Sequence, residues 1–306
     1  MSNSQLSTQT TLQKYMYPFS GMFIADKIFA SNMDYIFHLT PNEKDQIKSK
    51  LIHSWWQLKE GDIVYVEMTS IQSFLICCGP ESVPPRCIEF RTPIILLLGS
   101  FQYQPAGIKY YLQELLKHEN IKAIFTTNPP FKHNKLHYML FGRNPDHRFD
   151  DCIQYDQYYN FYNNLSDIEK VNMKTNDIFR GYFTKKNNPA KRQHINCDEK
   201  IPYTNFIENI IKSKYILAPD GDRPDQYRIS EAIGLGCKPI VQMDENLYHD
   251  ISDAVFNIDD EYWNDNNKLI EKVDEYKIPD TRFVLLSYWK ERILNIRKDI
   301  FPHLQI

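Results

Sequence analysis

Residues Pro93-Ile-Ile-Leu-Leu-Leu-Gly99 form an unbroken apolar run of strand length. A strand without polar alternation must be covered on both faces, and crossover helices joining parallel strands supply that cover. The run is far short of the roughly 20 residues that cross a bilayer, so no membrane span is expected. Similar runs recur. Residues 61–67 read as a turn into a buried strand, and 121–125 and 136–141 as two more. Between them Ile108, Tyr111, Leu112 and Leu115 keep a helical spacing. Alternation of this kind predicts an α/β protein, with one Rossmann-like half ending near residue 150.

A polar stretch at 148–177 reads as helix and connector. A second α/β unit follows, with strands at 177–183, 215–218, 238–243 and 254–258 and helices ending near 212 and 236. Residues 281–301 have the pattern of a long amphipathic helix. The expected division is a flexible arm at 1–18, an acceptor-side Rossmann-like domain with connector at 19–175, a donor-binding domain at 176–285 and a closing helix at 286–306.

Charge narrows the partners. With 36 Lys and Arg against 39 Asp and Glu, the formal net charge is −3, which lacks the basic footprint of a general nucleic-acid binder. The first residues are polar and lack the apolar core of a signal peptide. Six cysteines without a Cys-x-x-Cys pair predict reduced thiols in a cytoplasmic protein.

The segment 213–241 carries most of the chemistry. A buried strand delivers Pro219-Asp220-Gly221-Asp222 at its carboxyl end, and Pro224 and Asp225 are expected to open a helix. Ligands of open α/β sheets sit beyond strand carboxyl ends, where a helix N-terminus offers N–H groups to phosphate. Arg228 and Glu231 stand three residues apart on one helical face. A cation there suits a diphosphate and a carboxylate one turn on suits ribose hydroxyls. Only 10 of 306 residues are glycine, yet Gly221, Gly234 and Gly236 fall within this short span.

This segment resembles the donor-binding signature of exostosin-like glycosyltransferases and related GT-B polysaccharide glycosyltransferases. Pro219, Gly221, Asp225, Arg228, Glu231, Ala232, Gly236, Cys237, Pro239 and Ile240 fall on that pattern. Arg223 replaces a loop glycine of the family, and Tyr227 stands where relatives often carry His. Asn188-Pro189-Ala-Lys-Arg192 resembles the family's loop after the first strand of its second domain, and Ser287-Tyr-Trp-Lys290 its closing helix. The resemblance implies two facing Rossmann-like domains with a C-terminal helix packing back. It also implies transfer of a sugar from a UDP- or GDP-sugar donor to a glycan or other hydroxyl acceptor, with inversion and without a metal.

The expected donor contacts are Arg192, Pro219, Gly221, Asp225, Tyr227, Arg228 and Glu231, and the expected catalytic base is Glu67 at the end of its strand. Asn128, His133, His137 and Arg143 border the strands at 121–142; Asn128 and Arg143 could line the cleft but read first as turn residues, and His133 and His137 form no His-Glu-x-x-His site. Trp55 and Trp56 read as helix packing. Two other functions compete. Asp220 and Asp222 could form the Asp-x-Asp metal site of a GT-A-like transferase, or the chain could be an inactive nucleotide-sugar or glycan binding module.

Overall fold

The computed structural model describes residues 14–17, 20–30, 39–52, 58–78, 92–99, 107–140, 142–143, 149–186, 188–221, 226–244, 247–273 and 275–304. The chain divides into two compact units, Pro18–Met139 with Leu286–Ile306, and Met1–Tyr17 with Leu140–Leu285. Each holds one parallel sheet.

The first unit contains β1 (Lys27–Phe29), α1 (Pro41–Ser49), β2 (Ile63–Glu67), α2 (Ile71–Cys78), β3 (Ile94–Gly99), α3 (Ile108–Lys117), β4 (Ile121–Thr126) and β5 (Leu136–Tyr138). The five strands pair in sequence order, all parallel. Every residue of β3 is buried, as its composition requires. Val64, Val66, Leu96 and Leu98 join Phe74, Leu112 and Leu115 in one core cluster. The alternate residues Tyr65 and Leu97 are buried on the opposite face, where Gly21 lies so close that a Cβ there would sit 2.8 Å from the Tyr65 ring. Burial of each such side chain contributes about 1.5–3 kcal/mol. A capping box starts α1: the Thr40 hydroxyl accepts from Glu43 N–H while the Glu43 carboxylate accepts from Thr40 N–H.

The second unit continues with α4 (Phe149–Asn163), α5 (Asp167–Asn172), β6 (Asn176–Phe179), a single helical turn at Pro189–Arg192, α6 (Tyr203–Lys212), β7 (Ser213–Leu217), α7 (Tyr227–Gly234), β8 (Lys238–Val241), β9 (Phe256–Asn257) and α8 (Asn266–Lys272). Its four strands also pair in sequence order and in parallel. Tyr215, Leu217, Ile240, Trp263 and Leu269 form its core. Among the described strands neither sheet reverses its order, so neither shows the switch point of a doubly wound sheet.

Two terminal segments are placed by packing. Residues 14–17 were expected at the end of a loose arm, yet Tyr15, Met16 and Tyr17 are buried. Met16 N–H donates to Val284 O and Met16 O accepts from Arg143 N–H at 2.9 Å. Gly142 (φ +89°) lies against Met16, where a Cβ would overlap the backbone. The last helix, α9 (Leu286–Ile300), belongs to the unit of the five-stranded sheet. There Trp289 is fully buried, edge-on to Tyr138. No helix among the described residues is long and apolar enough to cross a membrane.

Candidate functional site

β6 and β7 are adjacent and parallel, with Ile178 opposite Tyr215 and Phe179 opposite Ile216. The chain therefore leaves both strands at the same edge of the sheet. Tyr182, Phe183 and Thr184 follow β6, and Pro219–Gly221 and α7 follow β7. The segment after β6, α6 and the start of α7 enclose a cavity of about 740 Å³, with Tyr182, Phe183, Tyr203 and Phe206 as aromatic wall and Arg192, Arg228 and Glu231 among its charged groups; Pro219 and Gly221 do not line it. Its place beyond strand carboxyl ends is where α/β sheets bind ligands.

The loop after β7 is tied down carbonyl by carbonyl. Arg192 is only 4% exposed. Its Nε donates to Asp220 O (2.8 Å) and its Nη2 to Pro219 O (2.8 Å) and Gln226 Oε1 (2.5 Å). Its Nη1 donates to Thr184 O (3.1 Å), and Asn188 Nδ2 donates to Gly221 O (3.1 Å). Gln226 Nε2 donates to Pro219 O as well. Gly221 is needed for this approach, since a Cβ there would stand 2.8 Å from Arg192 Nη2. The guanidinium expected to meet a diphosphate thus spends these donors on its own loop and acts as its brace.

Gln226 is the N-cap of α7, but its amide is used on the loop and its side chain does not cap the helix N-terminus. The helix begins at Tyr227, later than the start expected at Pro224 and Asp225; Asp222, Arg223 and Asp225 lie outside the described residues. Tyr227 lines the cavity at this first turn. One residue on, Arg228 donates from Nη1 to Leu217 O (2.9 Å) and from Nη2 to Tyr182 O. Its guanidinium carbon lies 5.6 Å from the Phe183 ring centre and 5.5 Å from that of Phe206. Burial lowers its pKa to about 10, partly offset by Glu231, so it is a full cation at neutral pH. No described carboxylate pairs with it, and three of its five N–H groups carry no bond to a described residue. Lys200, exposed at the cavity mouth, is a second cation without a bond to a described residue.

Glu231 is 8% exposed, lines the cavity, and accepts at Oε1 from Tyr203 Oη (3.0 Å). Its helix ends in a Schellman motif: Cys237 N–H reaches Ala232 O (2.9 Å) and Gly236 N–H reaches Ile233 O (3.0 Å). Gly236 supplies the required left-handed residue at φ +64°, with Tyr162 so close that a Cβ would stand 2.0 Å from its hydroxyl. Lys174 Nζ closes the same end by donating to Leu235 O (3.0 Å).

The remaining expected site residues are scattered. Glu67 ends β2 in the other unit; it is buried, and Thr69 and Ser70 hydroxyls donate to its Oε2. Asp220 is buried and ion-paired with Lys191, so a metal at an Asp-x-Asp site would have to displace that ammonium. Burial pushes its carboxyl pKa up, and Lys191 opposes this. Among the described residues no cluster of three His, Cys, Asp or Glu could hold a metal ion. Asn128 takes a left-handed turn conformation (φ 52°), His133 Nδ1 accepts from Lys135 N–H, and His137 stacks on Phe125. Trp55 and Trp56 lie outside the described residues. Cys197 and Cys237 are free thiols.

Sequence reading missed Tyr203, Phe206, Lys200 and Gln226, which line the cavity; Arg143, read first as a turn residue, reaches Tyr203 instead. Only Gln226, next to the expected helix start, left a local signal. No protein-family model matches the chain, and no curated protein sequence matches it. The likeness to exostosin-like transferases therefore rests on the motif residues alone.

Proposed function

We propose that the second unit binds a nucleoside-diphosphate sugar and that the protein is a GT-B-type glycosyltransferase acting on a hydroxyl acceptor. The observation that carries this reading is Arg228: a cation on an aromatic-walled cavity that no described carboxylate pairs with, at the N-terminus of a helix that Gln226 does not cap. Both features attract a diphosphate. Lys200 supplies the second charge expected of Arg192, while Arg192 holds the loop of Pro219 and Gly221 in shape. Glu231 accepts from the ribose hydroxyls, and Tyr227 and the aromatic wall flank the nucleoside.

In the reaction the bond from the anomeric carbon to the diphosphate oxygen breaks, the bonding pair leaving with the nucleoside diphosphate, as the acceptor oxygen bonds to that carbon and gives its proton to solvent water. Negative charge grows on the leaving diphosphate, where Arg228 is already in place. Glu67, bonded to its own turn, carries no catalytic role in this reading.

Nucleotide release from a panel of UDP- and GDP-sugars tests the proposal. Arg228→Ala should lower kcat/KM by about 10²–10³-fold, the loss usual for one preorganised charge. Full turnover in both Arg228→Ala and Glu231→Ala overturns it. Tight nucleotide binding with no turnover on a broad acceptor panel leaves a binding module.

A further inference from the structure

Glu231 is held from two sides by tyrosines that share a buried guanidinium. Tyr203 Oη donates to its carboxylate (3.0 Å), and Tyr155 Oη donates to its main-chain carbonyl (3.3 Å). Arg143 is 2% exposed; its guanidinium carbon lies 3.7 Å over the Tyr155 ring, and its Nη2 stands 3.5 Å from Tyr203 Oη. Burial pushes both phenols well above their ordinary pKa, and Arg143 opposes this, so both remain protonated donors. All four residues belong to the second unit and come from four separate stretches of it.

We propose that Tyr203, backed by Arg143, is a positioning residue that aims the Glu231 carboxylate at the two hydroxyls of a bound ribose. This rests on the donor reading above and adds to it the device that sets selectivity for a vicinal diol. A carboxylate rotates freely about its last torsion, and its acceptor value depends on angle. One oxygen pinned by a phenol, with a buried cation behind, fixes that torsion before the ligand arrives. A bond to a charged acceptor is worth about tenfold or more in affinity only if the geometry is ready. Without the phenol, the carboxylate turns toward Arg143 and the diol loses its partner.

The test is calorimetry on the full chain with UDP and GDP, each against its 2′,3′-dideoxy counterpart. Wild type should bind the diol form of the accepted nucleotide at least tenfold more tightly. Tyr203→Phe keeps the ring and loses the donor, so it should weaken the diol form about 5- to 20-fold and leave the dideoxy form unchanged. Glu231→Gln should also bring the ratio toward one, and Arg143→Gln should lower it. A variant that merely loosened the fold would weaken both forms together. A full diol preference in Tyr203→Phe overturns the inference while the donor reading stands. A wild type that binds both forms equally overturns it too, together with the ribose contact assigned to Glu231. A wild type that binds no nucleotide overturns the donor reading and this one with it. If Arg143→Gln does not fold, Tyr203→Phe alone decides.

Discussion

Replacing Arg192 by Met separates a brace from a ligand. The methionine keeps the apolar stem beside Phe183, whose ring centre lies 5.5 Å from the guanidinium carbon, and removes four hydrogen bonds. Two of the deserted acceptors, Thr184 O and Gln226 Oε1, belong to residues that line the cavity and can be rewetted. The carbonyls of Pro219 and Asp220 are the costly pair, at about 1–3 kcal/mol each when left without a donor. Gln226 still donates to Pro219 O, so one deserted carbonyl remains and the cost is about 1–3 kcal/mol. In amide exchange that corresponds to protection falling by about 5- to 150-fold, confined to the peptides that carry β7 and the loop after it. Hydrogen exchange with mass spectrometry reads those peptides apart from the five-stranded unit, whose protection should hold. The reasoning is refuted if Arg192→Met keeps wild-type protection at 213–221 yet loses nucleotide binding, because Arg192 would then be a direct ligand.

Gly236→Ala should cost about 2–5 kcal/mol, combining about 1–2 for a left-handed alanine with about 1–3 for the collision with Tyr162. Urea unfolding measures it, and shortening Tyr162 to Leu in the same chain should recover part of the loss. Gly221→Ala should weaken nucleotide binding at least tenfold by lifting the loop off Arg192; calorimetry with UDP and GDP checks it, and unchanged affinity would count against the brace. Lys174 gives a pH signature, since burial lowers its pKa from 10.5 to about 8. Between those values the unfolded chain binds more protons, so stability should rise with pH across that window, by up to about 3 kcal/mol. The wild-type-minus-Lys174→Met difference in urea unfolding, followed from about pH 7.5 to 10, isolates it, and a flat difference contradicts it.

The sheets were legible where side chains reported their own surroundings. β2, β3 and β4 announce themselves by continuous apolar runs, and α3 by the spacing of Ile108, Leu112 and Leu115. β1 escaped notice because three residues, Lys27-Ile28-Phe29, hold no period. The strand expected at 254–258 shrinks to Phe256–Asn257, and Asn257 instead clasps Met243 with two side-chain bonds. α1 was readable in principle, because Thr40-Pro41-Asn42-Glu43 is a capping box in plain sequence.

The site was half legible for a physical reason. Spacing put Arg228 and Glu231 on one helical face, and scarcity marked Gly221 and Gly236. Spacing says nothing about which way a guanidinium turns: Arg192, read as a ligand, lines the cavity yet gives its donors to Pro219 O, Asp220 O, Thr184 O and Gln226 Oε1. Tyr203 and Phe206 reach the cavity from another helix, Arg143 meets Tyr203 from further off in the chain, and only the fold brings them together.

The most direct measurement is a crystal of the protein soaked with UDP or GDP. The account predicts the diphosphate within hydrogen-bond distance of the Arg228 guanidinium and the first turn of α7, with a ribose hydroxyl on Glu231. A nucleotide bound elsewhere, or none bound with the cavity open, contradicts it.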